Sequence, residues 1–143
     1  MKNLPLSILN KLRNIAKNRG EDSETLLYRY VVERFLYRLS ISEYKDKFFL
    51  KGAFLFTIWD NEPHRPTRDI DFSGNIPNQI ETLKEILKNI CAIPYPEDGL
   101  AFDLDSTEGE IIREGQSYGG VRLKQIVSLN SFLTPVINAL KKA

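Results

Sequence analysis

Two aspartates in a short alternating segment are the residues of this sequence best suited to chemistry. Asp69 and Asp71 are separated by one apolar residue. On a β-strand their carboxylates share one face, with Cα atoms about 6.6 Å apart, while Ile70 and Phe72 face a core. Two carboxylates so placed repel each other unless a cation lies between them, and Mg²⁺ prefers oxygen ligands. The pattern predicts a metal site for phosphoryl or nucleotidyl transfer, in which two ions about 3.5–4 Å apart hold the reacting oxygens.

The setting of this pair favours a site, because the spacing alone is common. Asp103 and Asp105 have the same spacing, and a solvated strand face is an alternative for either pair. Seventeen residues before Asp69 stands Gly52, between two apolar runs. A glycine at a strand-to-helix turn lets backbone N–H groups and the helix dipole approach a phosphate. The alternative is that Gly52 is only a turn residue.

The elements before the aspartates follow from apolar periodicity and turn residues. We predict a helix over residues 6–19 that stops at Gly20, and a second helix that is N-capped by Ser23 and runs to about Leu39. The segments that follow are a strand at 48–50, a short buried helix at 53–59, a loop at 61–67 and a strand at 68–73.

The elements after the aspartates complete an α+β fold. Pro77 opens a third helix, whose apolar face runs from Ile80 to Ile90. Strands are predicted at 100–104, 110–113 and 120–129, in a meander, and Thr134-Pro135 has the pattern of an N-cap and first residue of a last helix. We therefore expect one domain in three parts. They are a helical part at 1–45, a sheet core at 46–129 and a C-terminal helix at 130–143.

Composition excludes several classes of protein. The 143 residues carry 20 Lys/Arg and 19 Asp/Glu, which argues against a dedicated polybasic nucleic-acid binder. The chain has no apolar run long enough for a membrane span, no apolar stretch of a secretory signal, and one cysteine, Cys91. A cytoplasmic protein is expected. Residues 1–51 hold eleven basic and six acidic residues, and the remainder nine and thirteen. This asymmetry indicates either two surfaces of different purpose or only solvated helix faces.

Two motifs resemble a known family. Phe49-Leu50-Lys51-Gly52-Ala53, followed by the residues from His64 to Phe72, is similar to the nucleotidyltransferase signature of the AbiEii/AbiGii toxins, within the polymerase-β-like nucleotidyltransferase superfamily. The residues at 30–39 resemble the family's leading helix, and those at 98–103, 112–114 and 118–122 resemble its later strands. The resemblance covers about residues 6–124. It implies an α+β fold with a mixed or antiparallel sheet, helices packed on one side and two N-terminal helices.

The resemblance also implies roles for individual residues. Asp69 and Asp71 fill the positions of the catalytic, metal-binding carboxylates, which use Mg²⁺ or Mn²⁺. Gly52 and Ala53 fill the Gly-Gly/Gly-Ser position that holds the nucleotide phosphates, and Ala53 lacks a serine hydroxyl. The residues Lys51, Thr67 and Arg68 flank the pocket, where the positive charges meet the triphosphate or serve structure.

The same resemblance implies a reaction and its partners. The reaction is transfer of a nucleoside monophosphate from an NTP to an RNA or protein acceptor, with release of pyrophosphate. Some relatives act on tRNA ends, and a nucleic-acid acceptor would explain the excess of basic residues at 1–51. The resemblance further implies a toxin of a toxin–antitoxin or abortive-infection system, with a cognate antitoxin as partner.

The chain departs from the family after Lys124. No Asp or Glu follows Glu114, so the family's third carboxylate, which completes the metal site or acts as general base, has no match. Asp103, Asp105 or Glu110 would have to substitute, which we do not expect. The family's helical C-terminal half has no counterpart either. We expect a truncated or frame-altered member, or a minimal domain, with weak or no transferase activity. A truncated chain is expected to expose apolar surface and to form homo-oligomers.

Other residues suggest sites that are better explained by structure. His64 has no partner histidine and is expected on a loop surface, while Cys91 and Trp59 are expected to pack in the core. Four tyrosines and three arginines of the second helix region form either an RNA-facing surface or, as we favour, a partly buried helix with solvated charges; they are Tyr28, Arg29, Tyr30, Arg34, Tyr37, Arg38 and Tyr44. The alternative function is a non-catalytic interaction or oligomerisation protein that keeps the fold.

Overall fold

The architecture was examined in a computed structural model of the chain. It describes residues 3–51, 69–74, 79–115 and 117–141. Helix α1 is Leu4–Arg19, α2 is Ser23–Ser40 and α3 is Ile80–Cys91, and the strands are β1 Phe48–Lys51, β2 Asp69–Gly74, β3 Ala101–Glu114, β4 Ser117–Leu129 and β5 Phe132–Lys141. A short 3₁₀ turn occupies Pro96–Asp98. In this part of the chain no helix is long and apolar enough to cross a bilayer.

Capping groups set the ends of the first two helices. The side chain of Asn3 accepts a hydrogen bond from the backbone N–H of Leu6, and α1 ends at Gly20, whose φ of 69° is left-handed as the sequence predicted. The predicted N-cap of α2, Ser23, is wrong by one residue. Asp22 is the N-cap, and its side chain accepts a hydrogen bond from the Thr25 N–H at 3.0 Å. Its negative charge also interacts favourably with the positive end of the helix dipole.

The five strands form one mixed sheet in the order β1-β2-β5-β4-β3. β2 and β5 are parallel and the other pairs are antiparallel. Buried apolar residues alternate along β4, at Val121, Leu123, Val127 and Leu129, so one face of the sheet packs against the helices. This confirms the α+β class with helices on one side. The opposite face, which we call the open face, carries Asp71.

The last element is a strand, so the helix predicted for 130–143 is wrong. A two-residue connection, in which Asn130 has a φ of 52°, turns the chain back so that Phe132 pairs with Leu129. Pro135 is tolerated because pairing with β2, as far as that strand is described, begins only at Ile137, so no described strand on that side requires an N–H from the proline. The Thr-Pro pattern of a helix start is overridden by pairing along the whole of β4.

Two strands predicted separately, at 100–104 and 110–113, are one continuous strand, β3. The register shifts between Asp103 and Glu108, and the buried amide of Gln125 fills this bulge. Its Oε1 accepts from the Thr107 hydroxyl at 2.5 Å, and its Nε2 donates to the Asp103 carbonyl and to Ser106. The amide supplies the hydrogen bonds that the interrupted ladder lacks, so the strand continues.

Some of the remaining predicted segments lie within the described residues, and others lie outside them. β1 and β2 confirm the strands predicted at 48–50 and 68–73. α3 confirms the third helix, but the start predicted at Pro77 is wrong, because Gln79 is extended as the N-cap and the helix begins at Ile80. The predicted helix at 53–59 and loop at 61–67, with Trp59 and His64, lie outside the described residues.

The arginines of α2 are less solvated than predicted. Arg38 and Asp98 are both buried, and the Arg38 Nη1 lies 2.6 Å from a carboxylate oxygen of Asp98. Arg34 contacts the same carboxylate at 3.3 Å and lies between two tyrosine rings, Tyr37 and Tyr95, each centred 4.5 Å from its guanidinium carbon. Partial burial of the helix is therefore confirmed. The prediction of solvated charges is wrong for Arg38, because a partner 60 residues away neutralises it.

Asn138 of β5 is a polar group in the apolar core. Its side chain is 2% exposed, and neither amide atom has a hydrogen-bond partner among the described residues. It borders a cavity of about 20 Å³ whose other lining residues are Phe35, Leu39, Phe48, Phe72, Leu83, Ile86, Leu87, Ile90, Leu123 and Leu140. A buried amide without partners lowers stability.

We expect Asn138→Leu to raise the free energy of unfolding by about 1–2 kcal/mol, because it removes the desolvation cost and fills part of the cavity. Urea unfolding monitored by circular dichroism measures this. Asn138→Ala is the control: it removes the same amide but enlarges the cavity, so it should gain less or lose stability. A leucine variant less stable than the parent would contradict the expectation.

Candidate functional site

β2 places the Asp-x-Asp motif at the centre of the site. Ile70 and Phe72 are buried in the core, 0% and 3% exposed, and Asp71 is half-buried on the open face, as strand alternation predicted. The backbone of Asp69 lies in the same strand, two residues before Asp71, and its side chain lies outside the described part of the structure. The β2 backbone therefore places residues 69 and 71 at positions on the same face of one strand, and a two-carboxylate metal site there stays a prediction.

A row of paired residues crosses all five strands at Asp71. Lys51 of β1 pairs with Asp71 on one side, and Ala139 of β5 pairs with it on the other. The row continues from Ala139 to Arg122 of β4 and from there to Glu110 of β3. An Nη1 of Arg122 lies 3.1 Å from a Glu110 carboxylate oxygen. In this row, therefore, Ala139 of β5 lies between Asp71 of β2 and Arg122 of β4.

A second row lies two residues away and contains Asp69. Its partner on β5 is Ile137, followed by the exposed Lys124 on β4 and Glu108 on β3. Both positions of β5 that oppose the aspartates are therefore hydrocarbon side chains. Neither can supply an oxygen ligand to a metal held by β2.

No other described carboxylate takes the place of a third ligand. Glu110 is three strands from Asp71, about 14 Å at the usual strand spacing, and is bonded to Arg122. Asp103 and Asp105 lie on β3, which is also three strands away, and the Asp103 carboxylate accepts the Asp105 N–H at 3.2 Å. The described residues contain no cluster of three His, Cys, Asp or Glu side chains able to bind a metal.

The chemistry of the donors fits one magnesium ion better than two. Mg²⁺ is commonly held by one or two carboxylates together with substrate phosphates and water, which matches Asp69 and Asp71 on one strand. A two-ion centre needs further oxygen ligands, and β5 offers none at Ile137 and Ala139. Among the described residues, β5 therefore supplies no protein ligand for a second ion.

The other predicted site residues fall largely outside the described structure. The backbone of Lys51 ends β1 opposite Asp71, but its side chain is not described. Gly52, Ala53, Thr67 and Arg68 lie outside the described residues, so their predicted contacts with nucleotide remain predictions.

Cys91 is a core residue, as predicted. Burial raises the pKa of its thiol to about 12, so the thiol stays protonated at neutral pH and is no nucleophile. Sequence reasoning missed Ala139 instead. The run from Pro135 to Leu140 is apolar except at Asn138, so it has no strand alternation from which the position of Ala139 could be predicted.

Together these features define a class of protein. An Asp-x-Asp strand inside a mixed sheet, with helices on one face and Asp71 on the other, is compatible with a nucleotidyltransferase-like fold. The family model described as "Nucleotidyl transferase AbiEii toxin, Type IV TA system" matches residues 34–137, which is 104 of the 143 residues. The chain belongs to this family, as the resemblance of its motifs indicated. No curated protein was found to match it.

Proposed function

We propose that this protein binds a magnesium–NTP complex through Asp69 and Asp71 and transfers the nucleoside monophosphate slowly to an RNA or protein acceptor, as the toxin of a toxin–antitoxin pair. The observation that carries the proposal is the position of Asp71 on the open face of β2, in a member of a nucleotidyltransferase toxin family. The antitoxin is its proposed protein partner.

In this proposal, different residues bind the metal ion and the phosphates of the nucleotide. Asp69 and Asp71 would hold the ion. Lys51, at the neighbouring edge of the row, would receive the phosphates together with Gly52, Ala53, Thr67 and Arg68. When bound, Mg²⁺ neutralises phosphate charge and polarises the phosphoryl oxygens. Ala139 leaves the position beside Asp71 without an oxygen atom, so nothing on β5 assists the acceptor hydroxyl. Slow transfer is the expected consequence.

Asp71→Asn tests the proposal directly. Loss of one anionic ligand should weaken Mg²⁺-dependent NTP binding at least about tenfold, since charged ligands dominate Mg²⁺ affinity, and should abolish the remaining transfer of label from [α-³²P]NTP. Equilibrium dialysis with and without Mg²⁺ measures the binding.

The chain contains its own matched control for this test. Asp105→Asn changes the same residue type in the second Asp-x-Asp segment, on the exposed β3 strand, and should leave binding unchanged. Equal Mg²⁺-dependent affinities for the parent and Asp71→Asn would exclude the proposed site.

A second function, a non-catalytic interaction protein, is favoured by β5 itself. Its open face is hydrocarbon at Leu133, Pro135, Ile137 and Ala139, and Leu133 is 66% exposed. Pro135 and Ile137 are half-buried and Ala139 is buried, so Leu133 is the exposed apolar side chain that suits contact with an antitoxin or another copy of the chain. Sedimentation equilibrium distinguishes this alternative: a concentration-dependent oligomer without any Mg²⁺-dependent NTP binding supports it, and a monomer that binds NTP opposes it.

A further inference from the structure

Helix α1 differs from the other helices in the sign of its charges. It carries four basic residues, Lys11, Arg13, Lys17 and Arg19, and no acidic residue. α2 and α3 each contain both signs, and in α3 Lys84 lies 4.0 Å from Glu81. Among the described helices, α1 is the one whose charged residues are all positive.

The positive charges lie on the side of α1 that faces away from the fold. Leu9 and Ala16 are fully buried against α2 and the end of β4. Six exposed residues occupy the opposite arc of the helix and are called the α1 polar face: Asn10, Lys11, Arg13, Asn14, Lys17 and Asn18. The three asparagines are four residues apart and form one row, with cations on both sides.

Interactions within the fold account for few of the positive charges on α1. Lys17 and Arg19 lie in the last turn, where the helix dipole favours positive charge. Arg13 is in the middle of the helix, four residues before Lys17, and like charges at that spacing destabilise a helix. Within the described residues, no ion pair or side-chain hydrogen bond is recorded for any member of the α1 polar face.

We propose that the α1 polar face binds the sugar–phosphate backbone of an RNA. Lys, Arg and Asn side chains make most of the phosphate and sugar contacts in nucleic-acid complexes. Amide groups that both donate and accept also suit the 2′-hydroxyl of ribose. Because RNA is one of the two acceptor classes, this inference deepens the proposed function and rests on it for its biological role.

The same face is unsuited to a membrane surface. An interfacial helix must bury a continuous apolar face in the lipid. In α1 that face is packed against the protein through Leu9 and Ala16, and the exposed apolar residues Leu4, Leu6 and Ile15 lie outside the α1 polar face. Charge complementarity with an anionic polymer is therefore the better match.

Distance separates this surface from the metal site. α1 contacts β4 near Leu129, seven residues from Arg122 in the Asp71 row, which is about 24 Å along the strand. Substitutions on α1 can therefore alter RNA binding without touching the nucleotide site, and an acceptor bound at both places must span this length.

Fluorescence anisotropy with a fluorescein-labelled RNA hairpin tests the proposal on the full chain. The triple variant Lys11→Ala/Arg13→Ala/Lys17→Ala should bind at least about tenfold more weakly, and the slope of log K against log salt should fall in magnitude by about 2–3 between about 50 and 200 mM salt. The control triple Lys45→Ala/Lys47→Ala/Lys88→Ala removes the same charge from other surfaces and should retain the affinity. Circular dichroism checks that both variants fold.

Three results would overturn the proposal: no binding of the hairpin by the parent, equal losses in the two triple variants, or binding of α1 to phosphatidylserine vesicles in place of RNA. Failure of the proposed nucleotidyl transfer is separable. Asp71→Asn should keep its affinity for the hairpin while losing Mg²⁺-dependent NTP binding, and the α1 triple should show the reverse.

Discussion

Replacing Ala139 with aspartate is expected to increase Mg²⁺-dependent nucleotidyl transfer at least about tenfold. Ala139 is the direct β5 partner of Asp71 in the parallel pair, so a carboxylate there lies on the same face one strand away, about 4.8 Å between strands. The resemblance to the superfamily implies a third carboxylate that completes the metal site or acts as general base. General-base assistance contributes roughly 10²–10⁴-fold to a rate, so a partial gain of tenfold is a conservative expectation.

Two controls separate charge from shape in this experiment. Ala139→Asn has nearly the volume of aspartate without its charge and should leave transfer near the parent level. Ile137→Asp places the carboxylate opposite Asp69 and tests whether position 139 is specific. Transfer is measured as label moved from [α-³²P]NTP to total RNA and to protein.

Folding of the variant must be measured alongside its activity. Ala139 is 2% exposed, so a carboxylate there needs a cation, and its β4 partner Arg122 or a bound Mg²⁺ can supply one. We therefore expect Mg²⁺ to raise the melting temperature of Ala139→Asp more than that of the parent. A folded variant with no gain in Mg²⁺ binding or transfer would show that the missing ligand is not what limits this site.

The second large effect is expected at Asp98. Removing this carboxylate by Asp98→Ala leaves the buried guanidinium of Arg38, 2% exposed, without its 2.6 Å partner. Breaking a buried pair in this way costs about 3–5 kcal/mol. We expect a loss of that size in the free energy of unfolding and a fall of about 10 °C in melting temperature.

The contacts around Asp98 explain why the loss is large. Its carboxylate also receives Arg34 at 3.3 Å and the Leu100 N–H at 3.1 Å, and its carbonyl receives the Tyr30 hydroxyl at 2.8 Å. Burial, and then the negative charge of Asp98, raise the pKa of Tyr30, so that hydroxyl stays protonated and keeps donating. The network ties α2 to the start of β3.

A surface pair provides the matched control for Asp98→Ala. Glu81→Ala removes a carboxylate that is 88% exposed and 4.0 Å from Lys84, and should cost less than about 1 kcal/mol. Differential scanning calorimetry of both variants gives the comparison. Equal, small losses would show that water reaches Arg38 when Asp98 is absent and that the pair is not a major stabilising contact.

Local patterns in the sequence were sufficient for much of the fold. The Gly20 stop, the two N-terminal helices and the Asp-x-Asp strand each depend on interactions within a few residues, and all were predicted. The family resemblance drawn from the same motifs is confirmed by the match at residues 34–137. The long, bulged β3 was predicted as two strands, because the Gln125 side chain that bridges the bulge comes from the next strand.

β5 marks the limit of such reasoning. Thr134-Pro135 has the local pattern of a helix start. It lies in a strand only because β5 pairs with β4 and with β2, and β2 is distant along the sequence. The same pairing places Ala139 beside Asp71. The sequence by itself determined that the chain carries an Asp-x-Asp motif and has no Asp or Glu after Glu114. The tertiary structure alone decided that an alanine lies beside Asp71, because the register between strands is set by the packing of the whole sheet.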